Sequence, residues 1–170
     1  MLRMRQSRGM TLIEGLVAML LFAIGILALV GMYSASVRAS SDAQYRVEAS
    51  DLATQVIQDI NSSVNRTPGG GGAPPVVDPV DLASFAYNTG GGNCGFNGGG
   101  AGGKQAIANW IAKVTAPGTG LPSTNAAATA GYQQILVSPG PAFNQVTVTL
   151  CWQGPNDPTP HSQIVIGYVN

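Results

Sequence analysis

From Gly15 to Met32 the chain runs for eighteen residues without a charged side chain. At 1.5 Å of rise per residue, that is long enough for a helix that spans a bilayer. Past this run the period stays helical: Ala49, Leu52, Ala53, Val56, Ile60 and Val64 recur at three- and four-residue steps and form one apolar stripe. Arg46, Glu48, Asp51 and Asp59 occupy other sides of the same turns, as on a half-exposed helix. The pattern predicts one helix from Thr11 to about Ser63, roughly 80 Å long, well beyond what a membrane requires. Pro68, Gly69 to Gly72, Pro74 and Pro75 then oppose helix continuation and open a linker.

After the linker the pattern shortens. The glycine-rich stretch from Gly90 to Gly103 reads as a long mobile loop around Cys94, costly to order. Between Lys104 and Val114, Ile107, Trp110, Ile111 and Val114 share one face, which predicts a short amphipathic helix with Trp110 in the core. The period then changes to two. Gln133–Val137, Gln145–Trp152 and Gln163–Val169, bounded by Pro and Gly clusters, read as strands whose short connections permit antiparallel neighbours. In the middle strand Val146, Val148, Leu150 and Trp152 point one way, and Thr147, Thr149 and Cys151 the other. One face can therefore pack on the long helix. The fold class is α+β: a long amino-terminal helix covered by a small carboxy-terminal antiparallel sheet.

A length of 170 residues leaves room for one membrane helix and a single modest globular domain. Charge is sparse, 9% of residues with eight of each sign, so nothing suggests a nucleic-acid partner.

The chemistry sits at the amino terminus. Arg3, Arg5 and Arg8 lead into Gly9-Met10-Thr11-Leu12-Ile13-Glu14, so that a lone carboxylate stands at the edge of the apolar run. A carboxylate at full membrane depth costs roughly 2.5 to 3.5 kcal/mol on insertion scales, so Glu14 calls for a positive partner. An ordinary secretory signal has a shorter apolar core and a small-residue cleavage site after it, and a plain anchor leaves Gly9 and Glu14 unexplained.

The constellation resembles the amino-terminal signal of type IV prepilins. The resemblance implies cleavage by a prepilin peptidase between Gly9 and Met10, N-methylation of Met10, and Glu14 as the fifth mature residue. Glu14 would then meet the amino-terminal charge of a neighbouring subunit during assembly, each charge offsetting the burial of the other. It also implies a leader over 1–9, a membrane and filament-core half of the helix over 10–33, an amphipathic half over 34–67 and a periplasmic head over 68–170, on a single-pass inner-membrane protein that passes to the cell surface in a pilus. Without the leader, five positive side chains face eight negative ones. In the oxidising periplasm Cys94 and Cys151, the only two cysteines, favour a disulfide. It would close a loop of about 58 residues and contribute roughly 4 kcal/mol in the chain-entropy model.

Within that family, Leu16-Val17-Ala18 after the signal, the Trp110 helix, Leu121-Pro122 and the late strand ending at Trp152 look like the PilV subfamily of minor pilins. The glycine-rich insert around Cys94 is a departure. The implied function is structural: a low-abundance subunit that joins other minor pilins and the major pilin, with the assembly machinery of the inner membrane, to prime pilus assembly at or near the filament tip. A minor pseudopilin of type II secretion, similar to the GspI class, shares the same leader and helix. A membrane-anchored adhesin or binding module is the alternative from another class.

No enzymatic constellation competes. Gly98 to Lys104 matches a phosphate-loop spacing, but Gln105 stands where a hydroxyl is needed and no apolar strand feeds the loop. His161 reads as a lone histidine in a solvent-facing loop without a triad. Asp78 and Asp81 read as loop carboxylates, too few for calcium. One histidine and two distant cysteines make no zinc site, and no cofactor is expected.

Overall fold

The computed structural model describes residues 10–100, 104–122, 131–140, 144–155 and 157–170. One helix, α1, runs from Met10 to Ser63 without interruption over 54 residues. The chain divides into two compact units, Met1–Asp42 and Ala43–Asn170. Within the described part of the first, α1 stands alone.

The second unit is built around the last five turns of α1. Ala49, Ala53, Val56 and Ile60 are fully buried there and Val64 nearly so. This is the stripe of the sequence, and its two alanines leave room for large side chains from other elements. Trp110 and Trp152 belong to the same apolar cluster, with Ile135, Val146, Val148 and Leu150.

The sheet that covers the stripe has three strands, β5 (Gln133–Ser138), β6 (Asn144–Trp152) and β7 (His161–Val169), in the antiparallel order β5-β6-β7. Val148 is registered between Ile135 and Val165, and Thr147 between Leu136 and Ile166. Val146, Val148, Leu150 and Trp152 are all fully buried, as the alternation predicts. Helix and sheet approach closely at one glycine: a Cβ on Gly167 of β7 would lie 2.6 Å from Cγ2 of Ile57.

Four smaller elements complete the unit, and here the structure departs from the loops expected. The Pro/Gly linker after α1 is an antiparallel pair, β1 (Arg66–Thr67) with β2 (Val76–Val77), around a 3₁₀ turn at Gly70–Gly72. The Arg66 guanidinium ties this pair to the end of α1. It donates to the carbonyl of Asn61 at 2.7 Å, to Asn61 Oδ1 at 2.6 Å and to the main-chain oxygen of Asn170 at 2.7 Å. A short helix, α2 (Pro79–Ala83), follows with Asp78 as its cap; Asp78 Oδ1 accepts from the amides of Val80 and Asp81 at 2.9 and 3.3 Å, and Pro79 begins the helix.

The glycine-rich stretch, expected to be a mobile loop, forms regular structure between Gly90 and Asn97. Gly90–Gly92 (β3) and Gly95–Asn97 (β4) form a hairpin with a two-residue turn, Asn93-Cys94, in which both residues have positive φ, 51° and 61°. That is the backbone a type I′ turn requires. Phe96 is buried and bridges to Gly131 in both directions, at 3.1 and 2.9 Å. Glycine's low strand propensity hides this hairpin in the sequence. The last element, α3 (Gln105–Val114), buries Ile107, Trp110 and Val114 as expected.

Candidate functional site

Met10 opens α1, while Gly9 and the leader arginines lie outside the described residues. Glu14 sits in the first turns of α1 with its side chain exposed. Among the described residues its carboxylate has neither hydrogen bond nor ion pair. A charge held on an apolar helix without a counter-charge among the described residues is suited to one supplied from another molecule.

The helix around it is apolar on every side. At 3.6 residues per turn Leu12, Ile13, Leu21 and Phe22 fall on four different sides, and all are at least 63% exposed. Helices that are hydrophobic all round are buried, in a protein core or in lipid. Among the described residues nothing covers this one, and its length and composition suffice to cross a membrane. Of the sequence-predicted site residues, Met10 and Glu14 thus share one end of this apolar helix, and Gly9 lies outside the described residues.

The other marked residues belong to the head and build it. Cys94 and Cys151 are joined, with Cα atoms 5.7 Å apart. The bond ties the β3–β4 turn to the face of β6 opposite the core strip, and Cys151 is fully buried beneath it.

Asp81 is part of a polar junction rather than a solvated loop. Its Oδ1 lies 2.6 Å from Lys104 Nζ, and its Oδ2 accepts from the Asn65 amide at 2.9 Å. Lys104 Nζ also stands 4.6 Å from the centre of the Phe85 ring. The junction joins the end of α1, helix α2 and the start of α3. The Lys104 ammonium, followed by the Asn65 amide, holds the Asp81 carboxyl below its ordinary range. A carboxylate with a depressed folded pKa stabilises the fold above its unfolded pKa, and the contribution is lost as pH falls through the folded value. Asp81→Asn should therefore lower the melting temperature at neutral pH and have little effect at strongly acid pH, where wild type has lost the same interaction. Paired thermal melts across that range check it, and an equal deficit at both ends would exclude the carboxylate as the cause.

His161 also departs from the solvent-facing loop expected. The ladder between β6 and β7 extends to the pair Trp152↔His161, which makes His161 the first residue of a strand. Its ring stacks on Trp152, centroids 6.0 Å apart and planes at 18°. Its Nε2 lies 3.5 Å from Asp157 Oδ2, a carboxylate oxygen that also accepts from the Gly154 amide at 2.9 Å. Arg46 of α1 stands 5.9 Å from the Trp152 ring centre. Cys151, beside Trp152 in β6, is held in the disulfide and offers no free thiol here. Among the described residues no group of three or more His, Cys, Asp or Glu could hold a metal ion.

Residues 4–30 match the family model of the prokaryotic N-terminal methylation motif. The match covers Arg5, Arg8, Gly9, Met10, Glu14 and most of the uncharged run, and this motif indicates a type IV pilin-like or pseudopilin-like precursor. The motif implies processing by a prepilin peptidase and a pilus-assembly setting, and it belongs to structural subunits. Comparisons with curated proteins and with solved structures find no match.

Proposed function

We propose that this chain is a minor type IV pilin of the PilV kind, cut after Gly9, N-methylated on Met10, and incorporated with other minor pilins to prime pilus assembly. The observation that carries the proposal is the position of Glu14: a lone exposed carboxylate near the start of an all-round apolar helix, within the matched methylation motif. While the subunit waits in the membrane, lipid covers the apolar first half of α1; in the assembly, the helices of neighbouring subunits replace it. The amino terminus of one subunit and Glu14 of the next then offset each other's desolvation, which for an unpaired charge would run to several kcal/mol. That pairing selects stagger and neighbour, while apolar packing supplies most of the cohesion.

Glu14→Ala tests this reading. The variant is expected to be processed and to remain in the membrane, because the cleavage junction and the apolar helix are intact. Its recovery in sheared filaments should fall about tenfold or more, as expected when a buried amino-terminal charge loses its partner. Wild-type recovery would defeat the role given to Glu14. Deletion of the chain should abolish twitching while enzyme secretion continues; the reverse phenotype would assign it to a type II secretion pseudopilus instead.

A further inference from the structure

Asn97 is the one asparagine of this chain that precedes a glycine. It closes β4, registered opposite Gly90, and its side chain is exposed. Among the described residues its carboxamide takes part in no hydrogen bond, and the main-chain amide of Gly98 donates to none. Other asparagines are held. Asn61 Oδ1 accepts from Arg66 at 2.6 Å, and Asn109 Oδ1 accepts from Gln105 at 2.9 Å. Asn88 Nδ2 donates to the Gln133 carbonyl at 3.0 Å, and Asn144 Nδ2 to the Val169 carbonyl at 3.1 Å. Asn93 is exposed as well, but the residue after it is Cys94, fixed in the disulfide.

The hairpin itself requires the glycine. Gly98 has a φ of 118°, a conformation that glycine adopts freely and other residues rarely do, and a Cβ there would lie 3.2 Å from the Gly90 amide nitrogen. The fold therefore keeps beside Asn97 the residue whose amide nitrogen is least shielded, since glycine has no side chain to bar approach to the neighbouring carboxamide. Beyond it, a Cβ on Gly99 or Gly100 would meet nothing within 4 Å.

We infer that Asn97-Gly98 is a site of covalent self-modification, at which the asparagine converts with time to aspartate and isoaspartate, with water as the only co-reactant. The Gly98 nitrogen attacks Asn97 Cγ and gives up its proton through solvent to the side-chain nitrogen, which leaves as ammonia. The two residues then share a five-membered succinimide ring. Water breaks one of the ring's two carbonyl–nitrogen bonds. Cleavage at Cγ restores the main chain and leaves aspartate; cleavage at the Asn97 main-chain carbonyl leaves the chain routed through Cγ, as isoaspartate. Nothing is oxidised or reduced.

Both products alter the hairpin. No charged side chain stands between Asp81 and Lys104 in the sequence, so either product puts a carboxylate into an uncharged segment. Isoaspartate also lengthens the main chain by a methylene, just ahead of the 3.1 Å bond from the Asn88 amide to the Gly99 carbonyl. That bond continues the antiparallel pairing past the end of β3 and β4, and an inserted main-chain atom shifts its acceptor out of register. The inference is independent of the pilin-like reading.

The test is peptide mass spectrometry on the full chain, folded and oxidised in detergent, held for increasing times in mildly alkaline buffer. Trypsin releases the segment 67–104, which holds Asn88, Asn93 and Asn97 together, so the first two serve as internal references. Asn97 is expected to change from amide to acid before either of them, in two chromatographically separate forms, while the intact chain gains one negative charge in isoelectric focusing. The isoaspartate form should lose amide-exchange protection at Asn88. Asn97→Gln, at an exposed position, should fold as wild type does and keep its amide over the same period, because its ring would need six members. An amide retained at Asn97, conversion no earlier than at Asn88 and Asn93, or aspartate formed without isoaspartate would overturn the inference; the last result would mean direct hydrolysis without attack by Gly98.

Discussion

Trp110→Ala is expected to bring the head close to unfolding at growth temperature. The indole is 1% exposed and fills the space between α3, the alanine-lined stripe of α1 and the sheet. Its Nε1 also donates to the carbonyl of Leu52 at 2.9 Å, a second hydrogen bond to an oxygen within α1. Removing a buried tryptophan costs about 3 to 5 kcal/mol, and a domain of this size has roughly 5 to 15 kcal/mol in total. Trp110→Phe should keep much of the packing and lose the hydrogen bond, at about 1 kcal/mol beyond the smaller volume loss. Denaturant unfolding of the full chain in detergent separates the two. If the alanine variant unfolds at the wild-type midpoint, α3 does not hold α1 as the contacts indicate.

Replacing both cysteines, Cys94→Ser with Cys151→Ser, should cost almost as much by another route. Joining residues 57 apart in sequence restricts the unfolded chain, worth about 4 kcal/mol in the entropy model. In the folded chain the bond also holds the β3–β4 hairpin, a segment made largely of glycine with few side chains of its own to pack. Two effects are expected: a lower denaturant midpoint, and loss of amide-exchange protection at Phe96 and Gly131 before the β5–β7 sheet opens. Reduction by dithiothreitol should reproduce both. Unchanged protection at Phe96 would show that the hairpin is held by its bridge to Gly131 alone.

Where a residue's partners follow from its own period, the structure was legible in the sequence. Ala49, Ala53, Val56 and Ile60 repeat on a helical stripe and are all fully buried; Val146, Val148, Leu150 and Trp152 alternate and face the same core. The α+β class follows from those two patterns, since each face needs the other. The methylation motif was legible too, for its residues are adjacent in sequence. Hidden from the sequence were elements that depend on distant partners. Gly90–Gly92 is a strand because Asn97, Phe96 and Gly95 pair with it, and glycine carries no signal for that. Asp78 and Asp81 looked alike, yet one caps α2 and the other meets Lys104, twenty-three residues further along the chain. His161 left its expected loop because the β6–β7 ladder continues two residues beyond the alternating run. Glu14 is the opposite case: its place was plain from the sequence, and its partner, on this account, lies in another molecule.

The central claim is that this chain is made as a prepilin, matured at Gly9 and used as a pilus subunit. Its most direct test is the mass of the amino-terminal peptide from the full chain expressed with and without a prepilin peptidase. A prepilin yields a chain beginning at N-methylated Met10 when the peptidase is present and an unprocessed Met1 form when it is absent. A Met1 form under both conditions, or a cut beyond Gly31, would contradict it and return the amino-terminal helix to an ordinary anchor or signal.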